Sequence, residues 1–477
     1  MTRIEDASHF RSEVETVLFP ETEQEIAALL RKFSAQKKPV TICGGRTGLT
    51  GGCVPERGAA LATEKLNRIL SINWDDSRRI GSAVVQPGVS LKQLEEALEP
   101  RGLFYPPDPG EKAAFIGGTV STNASGPRSL KYGATRRWVR RLRLILPQGD
   151  LLEISRGQIH AQGRTLALSL PGGNRITADL PDLKMPETKN SAGYFSQPDM
   201  DLIDLLIGAE GTLGVITEIE VEILKKPEAC LSGILFFGSE WDCFSFAQEA
   251  RKMKPRVLEF FDSRSLVFLA RKYADLPSSA GAALYFQQEC RAAETDRLRE
   301  EWLHRSEPFR AQPAGGRFSL PAQDPQLLRQ LRYDLPVLVN EQSARHRFRK
   351  TGTDLAVPAR HAEEMFRFYL TELPRSGVEF ALWGHLGDHH LHANFLPKTQ
   401  EEFDRSLALY AAMAQKVVEF EGTVSAEHGI GKSRIPYLER MIGPEGMRQM
   451  ARLKKAFDPD GILNPGNIFP AELLDHV

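Results

Sequence analysis

The chain has 477 residues, 41% of them hydrophobic and 26% charged, the proportions of an ordinary globular protein. Lysine plus arginine (61) nearly cancels aspartate plus glutamate (62), so no global field favours nucleic acid or an anionic membrane. No apolar run reaches the roughly 18 to 20 residues of a membrane helix, and the opening MTRIEDASHF lacks a secretory-signal layout. The five cysteines are scattered and never in CxxC form, which disfavours disulfide frameworks, zinc ribbons and iron–sulfur ligation. A reduced, cytoplasmic protein of two or three domains is expected.

In chain order, PETEQEIAALLRKFSAQKK predicts a helix with Thr22 as N-cap and Ile26, Leu29, Leu30 and Phe33 on one face. PVTIC (39–43) is a short strand running into GGRTGLTGG (44–52), and SAVVQPGVS and LRLILPQGD read as further strands ending in turns. YPPDPGEKAAFIGGTVSTNASGP (105–127) is too long for a simple connector. LIGAEGTLGVITEIEVEIL (206–224) is a glycine-punctuated turn before a strand alternating Val215, Thr217, Ile219, Val221 and Ile223. After KKPEAC (225–230), charged amphipathic helices such as 292–304 and 359–373 alternate with short strands near 232–237, 283–288 and 379–383. A domain boundary is expected near 225, and 453–469 reads as a helix ending in turns that folds back on the rest.

The loop GGRTGLTGG holds five glycines in nine residues after a strand, a composition that lets backbone N–H groups approach a phosphate. It does not fit G-x-G-x-x-G, and a tight turn at a sheet edge explains it equally well. GIGKS (429–433) imitates a Walker A ending, but Ala426 stands where that motif needs its first glycine.

PVTICGGRTGLTGG, YPPDPGEKAAFIGGTVSTNASGP, KYGATRRWV, NSAGY, LIGAEGTLGVITE, GHLGD…LH, SAEHGIGK and DPDGILNPG occur in this order across nearly the whole chain. The set resembles the FAD-linked oxidases of the vanillyl-alcohol oxidase type, within them the D-lactate, glycolate and D-2-hydroxyglutarate dehydrogenase branch. The resemblance implies an α+β protein with a two-subdomain PCMH-type FAD-binding domain over 1–224. A cap domain with an antiparallel sheet over 225–440 would carry the substrate and metal site, and the segment 441–477 would pack back on the FAD domain.

Carried over by the resemblance, Gly44, Gly45, Arg46, Thr47, Gly48, Gly51 and Gly52 would line the pyrophosphate. Pro107, Asp108, Gly117, Gly118, Ser121, Asn123, Ala124, Gly126, Tyr132 and Gly133 match a second flavin-lining stretch. Glu210, Gly211, Gly214 and Ile216 match a third, and Asn464 the last. Some relatives attach the flavin through a histidine in the first loop; this loop has none, so non-covalent FAD is expected.

WGHLGDHHLHANF (383–395) holds four of the eleven histidines. EFALW and LHANF read as strands of a hairpin. A two-residue turn sets His385 opposite His390, and a four-residue turn sets it opposite His392. Both registers put His385, His392 and Asn394 on one face, with cross-strand Cβ atoms about 4.5–5.5 Å apart. SAEHG (425–429) adds a carboxylate and an imidazole, and two histidines with a glutamate suit Zn²⁺, with Mn²⁺ or Fe²⁺ as alternatives. Glu427 and His428 serve separate tasks only if the chain turns there, which Gly429 permits.

The resemblance implies that His385, His392 and Glu427 hold the metal and that His428 takes the substrate hydroxyl proton. The Cα hydrogen would leave as hydride to flavin N5, and Asn394 would hydrogen-bond the substrate. The implied reaction is oxidation of a D-2-hydroxy acid, D-lactate- or glycolate-like, to the 2-oxo acid. A separate acceptor is implied, whether a cytochrome, a quinone, an electron-transfer flavoprotein or a partner subunit. Peripheral membrane contact through that acceptor and a homodimer are both compatible. Action on a different alcohol, a non-catalytic electron-carrying flavoprotein subunit and a flavin-free zinc hydrolase are the rivals.

Two departures stand out. Where the branch usually reads GHxGDGNxH, His389 and His390 replace the Gly-Asn pair; His389 reads as a solvated turn residue, and His390 stays open. Relatives carry an arginine and, in a KYD…P stretch, a lysine that grip carboxylates; Asn340 and Gly352 stand there instead. Arg345, Arg347, Arg349 or Lys350 are the candidate substitutes, set against a solvated basic face. Trp383 and Phe395 read as core, and Tyr194 as core or a flavin neighbour.

Overall fold

The computed structural model describes residues 2–313, 325–346 and 348–477. Strands Thr16–Leu18, Ala59–Ala62 and Val40–Cys43 form a parallel three-stranded sheet with Ala59–Ala62 in the centre. The expected helix Glu23–Ala35 covers it. Thr22 caps the helix by accepting from the Glu25 N–H, and Ile26, Ala27, Leu30 and Phe33 are buried against Val40 and Leu61. The glycine loop therefore leaves the C-terminal end of Val40–Cys43 at the edge of a packed layer, a usual position for a ligand-binding loop.

A second, antiparallel sheet runs Leu151–Ser155, Val139–Ile145, Val215–Lys225, Ile80–Val85 and Ile69–Asp75, with Leu103–Phe104 added to the central strand. Val215, Thr217, Ile219, Val221 and Ile223 are buried and the residues between them half-buried, the alternation of a strand with one face on a core. The 105–127 stretch crosses this layer and contains the short helix Ile116–Ser121. A Cβ on Gly117 would lie 2.5 Å from Pro87 Cβ, so only glycine allows that close passage.

Sheet membership changes after Lys225. Ala229–Phe237 belongs to an eight-stranded antiparallel sheet ordered Gln312–Pro313, Ala229–Phe237, Ala282–Cys290, Val257–Asp262, Phe380–His385, His390–Phe395 and Thr351–Gly352, with Leu355–Ala356 also paired to His390–Phe395. Helices Ser263–Ala270 and Pro325–Ala344 bury Leu266, Leu269, Leu331 and Leu335 on the face that carries Trp383. Helices Glu240–Ala250, Thr295–Ser306, Ala362–Arg375 and Gln400–Glu419 cover the other, where Phe395 packs. Trp383 and Phe395 are thus core, as expected from their strand positions.

The tail returns to the first layer. Helix Ile435–Phe457, broken at Gly443 (φ 73°), ends in a buried cation: Lys454 Nζ donates to Asp458 Oδ2 and to the carbonyls of Thr212 and Leu463, each at 2.8 Å. Leu463 then bridges Val40 in parallel, and Asn464 Oδ1 accepts from the Ile42 N–H at 2.7 Å. The strand that launches the glycine loop is thereby locked by residues more than four hundred positions away in sequence, with |i−j| = 422 for that bond.

Candidate active site

The hairpin pairs His385 with His390 and Trp383 with His392, one of the two registers that sequence parity allows. The loop between them is a 3-10 turn, Leu386–Asp388, closed by His389 at φ 55°. Gly384 is required: a Cβ there would meet His390 O and His392 Cδ2, each at 3.0 Å, at φ 137°. His385, His390 and Asn394 are buried and His392 half-buried, and one ligand atom each of His385, His390, His392 and Glu427 lies within 4.8 Å of all the others.

Glu427 is the hub. Its Oε1 sits 3.2 Å from Nε2 of both His385 and His392 and 3.6 Å from Nε2 of His428. Its Oε2 accepts from the Gly126 N–H (2.9 Å), Ser125 Oγ (3.2 Å) and Lys189 Nζ (3.1 Å). Burial alone would raise this carboxyl, but the Lys189 ammonium and the His385 imidazole outweigh it and hold it well below the usual carboxylate range. The chain turns at Gly429 (φ 76°), and Glu427 and His428 both keep their side chains at this centre, Oε1 and Nε2 being 3.6 Å apart.

The outer nitrogens of both paired histidines are taken. His385 Nδ1 bonds Glu259 Oε1 at 2.5 Å, and His392 Nδ1 faces the Thr353 carbonyl at 3.0 Å. Arg332 Nε holds the other Glu259 oxygen at 3.1 Å. Burial would raise the Glu259 carboxyl, but His385 and Arg332 bring it down to about 2. With Nδ1 engaged in this way, Nε2 of His385 and of His392 is left to face one carboxylate oxygen, Glu427 Oε1. With the imidazoles neutral, these two nitrogens and the carboxylate oxygen are a donor set that could hold a divalent cation, and a carboxylate or carbonyl behind each imidazole is the usual support for such ligands.

His428 stands beside this centre. Its Nδ1 lies 3.3 Å from Asp354 Oδ2, and its side chain is 26% exposed against 0% for Asp354, so it is the imidazole that meets the solvent-facing side. Asp354 also accepts from Arg434 Nη1 (2.5 Å), Ser425 Oγ (2.9 Å) and the His428 N–H (3.0 Å). Burial works against that carboxylate, yet His428 and Arg434 hold it well below its ordinary range.

Lys350 supplies a cation next to Asn394. Its Nζ donates to Asn394 Oδ1 at 3.2 Å, while Asn394 Nδ2 donates to the His392 carbonyl at 3.2 Å. No carboxylate among the described residues pairs with Lys350, and burial lowers its ammonium to about 8. Of the other proposed substitutes, Arg345 and Arg349 are exposed, Arg349 lying over the Phe10 ring, and Arg347 lies outside the described residues. Gly352 pairs with Asn394 across the sheet, and a Cβ there would be 3.1 Å from Asn394 Oδ1.

The loop Gly44–Gly52 fits an anion. Among the described residues, the N–H groups of Gly45, Arg46, Thr47 and Gly48 have no acceptor, and a Cβ on Gly44 or on Gly118 would meet nothing within 4 Å. Unbonded, adjacent N–H groups beside open space make a phosphate cradle. Ser121, Gly211, Gly214 and Ile216 line one small cavity with Ala209.

Several other residues matched to flavin binding use their side chains to hold the protein together. Glu210 accepts from the Ile430 and Gly431 N–H groups at 2.7 Å each, and burial pushes its carboxyl up to about 7. Asn464 clips Ile42 to the Glu210 carbonyl. The Asn123 side chain bridges the Asn190 carbonyl and the Arg136 N–H. Asp108 is ringed by Lys112, Arg128 and Arg329, and Tyr132 bonds Glu289.

His389 departs from its expected solvated state: it is half-buried, with Nε2 2.5 Å from Arg251 Nη1, and burial plus that guanidinium lower it to about 3. Tyr194 takes the core alternative, fully buried with its hydroxyl 2.6 Å from Thr212 Oγ1 and its ring edge-on to Phe469. Lys189, Glu259, Arg332 and Asp354 were not singled out from sequence. Only Asp354 left a readable sign, as the aspartate of the KYD…P stretch whose lysine position is Gly352.

Residues 226–468 match the family described as FAD linked oxidases, C-terminal domain, and residues 14–155 match that described as FAD binding domain. The chain belongs to the FAD-linked oxidases. Relatives of this family include the glycolate oxidase subunit GlcD of Bacillus subtilis (strain 168), 31% identical over 98% of this chain and 92% of that protein. The D-2-hydroxyglutarate dehydrogenase of Stutzerimonas stutzeri (strain A1501) is 30% identical over 97% and 92%. A D-lactate dehydrogenase of Anaerostipes hadrus is 29% identical over 98% and 92%. Among solved structures, an alkyldihydroxyacetonephosphate synthase shares the fold at TM-score 0.63 and 18% identity, covering 94% of this chain and 76% of that one. The FAD-linked oxidase fold therefore spans the chain, and no helix among the described residues is long and apolar enough to cross a membrane.

Proposed function

We propose that this FAD-linked oxidase oxidises a D-2-hydroxy acid with a single carboxylate, of the size of D-lactate or glycolate, and passes the electrons to a separate acceptor. The observation that carries the reading is the convergence of His385 and His392 on Glu427 with the His428–Asp354 pair at its side. When bound, non-covalent FAD supplies a two-electron sink, and a divalent cation held by His385, His392 and Glu427, zinc being the best match to that donor set, supplies electrostatic pull on a hydroxyl.

The chain's own residues do the rest. Asp354 engages Nδ1 of His428 and so turns Nε2 toward the centre, where it takes the hydroxyl proton as general base. Lys350 and Asn394 together offer a charge-assisted site for the substrate carboxylate. The other nearby cations among the described residues, Arg332, Arg434 and Lys189, are paired with Glu259, Asp354 and Glu427, so among the described residues Lys350 is the cation offered to a carboxylate, which supports a monocarboxylate over 2-hydroxyglutarate. The expected localisation is cytoplasmic, with any membrane contact made through the acceptor.

A steady-state screen with an artificial electron acceptor tests this. D-lactate or glycolate is expected to turn over with a higher kcat/KM than L-lactate or D-2-hydroxyglutarate. Preference for the L-enantiomer or for the dicarboxylate contradicts the assignment.

A further inference from the structure

His390 stands outside the metal set named so far, yet it is the most completely enclosed of the four hairpin histidines. It is 0% exposed, directly opposite His385 in the ladder, with its ring 4.4 Å from that of His392 and 5.2 Å from that of His385. Its Nδ1 makes no hydrogen bond, which is rare for a buried polar group and calls for a missing partner. Nε2 lies 2.9 Å from Asp354 Oδ1.

The pattern repeats that of its neighbours. His385 has Glu259 behind it and His392 the Thr353 carbonyl; His390 has Asp354. In each case an oxygen acceptor stands at one ring nitrogen, and in His385 and His392 the other nitrogen faces Glu427. Two atoms bound to one ion at about 2.1 Å can lie at most about 4.2 Å apart, so a set already within 4.8 Å closes on an ion by shifts below an ångström.

We propose that His390 is a fourth protein ligand, giving a three-imidazole, one-carboxylate site for an imidazole-preferring divalent ion such as Zn²⁺ or Co²⁺. The inference rests on the metal reading of the site and extends it. Three nitrogens and one carboxylate oxygen discriminate against Mg²⁺ and Mn²⁺, which prefer all-oxygen sets. A four-ligand site also leaves room for a bidentate hydroxy acid only by expanding to six-coordination.

The chelator-stripped, FAD-loaded protein titrated with CoCl₂ tests this without turnover. Wild type is expected to bind one Co²⁺ and develop a visible ligand-field band, and His390→Asn to bind at least about tenfold more weakly with an altered band. Equal affinity and an unchanged band in the variant overturn the fourth-ligand proposal alone; no Co²⁺ binding by wild type overturns it together with the metal reading. Pulsed electron paramagnetic resonance of Cu²⁺-loaded wild type keeps the question open to refutation if the variant misfolds. Three coupled imidazoles support the proposal, and two contradict it.

Discussion

Replacing Asp354 with asparagine removes one negative charge from a fully buried carboxylate of the site. Oδ2 accepts from Arg434 at 2.5 Å, Ser425 at 2.9 Å and the backbone N–H groups of His428 and Glu427 at 3.0 and 3.3 Å. An amide keeps the shape and one acceptor oxygen but leaves the Arg434 guanidinium without its counter-charge, held by the Ser425 hydroxyl, the Gly429 carbonyl and the His428 Nδ1 contact. Removing one partner of a buried ion pair costs about 3–5 kcal/mol; the retained acceptor oxygen puts Asp354→Asn at the lower end, about 3 kcal/mol. The proton step suffers too, because His428 loses the anion that orients Nδ1, and general-base catalysis is worth about 10²–10⁴-fold. Urea unfolding at pH 7 and flavin reduction in single turnover measure the two effects separately. The pH dependence has a definite sign. The folded-state carboxyl is depressed, so its stabilisation is complete above the unfolded value of about 4 and is lost as pH falls below it. The gap between wild type and variant must therefore narrow in acid. A variant with unchanged midpoint and a reduction rate within about twofold of wild type refutes the role given to Asp354.

Further outcomes follow from the same geometry. His428→Ala is expected to keep its FAD and lose about 10²–10⁴-fold in the rate of flavin reduction, checked by stopped flow against the flavin content. Lys350→Met is expected to lower kcat/KM by about 10–100-fold, the worth of a hydrogen bond to a charged group. In wild type, with the ammonium at about 8, kcat/KM is expected to fall as pH rises through that value, while Lys350→Met loses this limb of the profile. Gly126→Ala places a Cβ 1.9 Å from the Asp108 carbonyl oxygen at φ 95° and displaces the N–H that holds Glu427. Loss of soluble protein or of metal content is the expected readout, and a fully metal-loaded, active variant contradicts it.

Much of this was legible in the chain because the relevant signals are local. Thr22 before an apolar stripe, the period-two run Val215–Ile223 and the hairpin parity of His385, His392 and Asn394 depend on neighbours a few residues away. What stayed hidden depends on distant partners. Glu259, Arg332 and Lys189 look like ordinary charges until the fold carries them to His385 and Glu427, across separations of 126 and 238 residues. His389 misled for the same reason, since nothing near it in sequence announces Arg251, 138 positions away. The side-chain partners of Glu210 and Asn464 were equally hidden, since the loop at 430–431 and the first strand that they clamp lie 220 and 422 positions away.

Anaerobic titration of the purified flavoprotein with D-lactate, glycolate and their L- and dicarboxylic counterparts, before and after chelator treatment and with Zn²⁺ restored, addresses the central claim most directly. The flavin is expected to bleach with the D-monocarboxylate, to stay oxidised once the metal is removed, and to bleach again on its return. Bleaching at full rate in the metal-stripped protein, or none with any 2-hydroxy acid, contradicts the account.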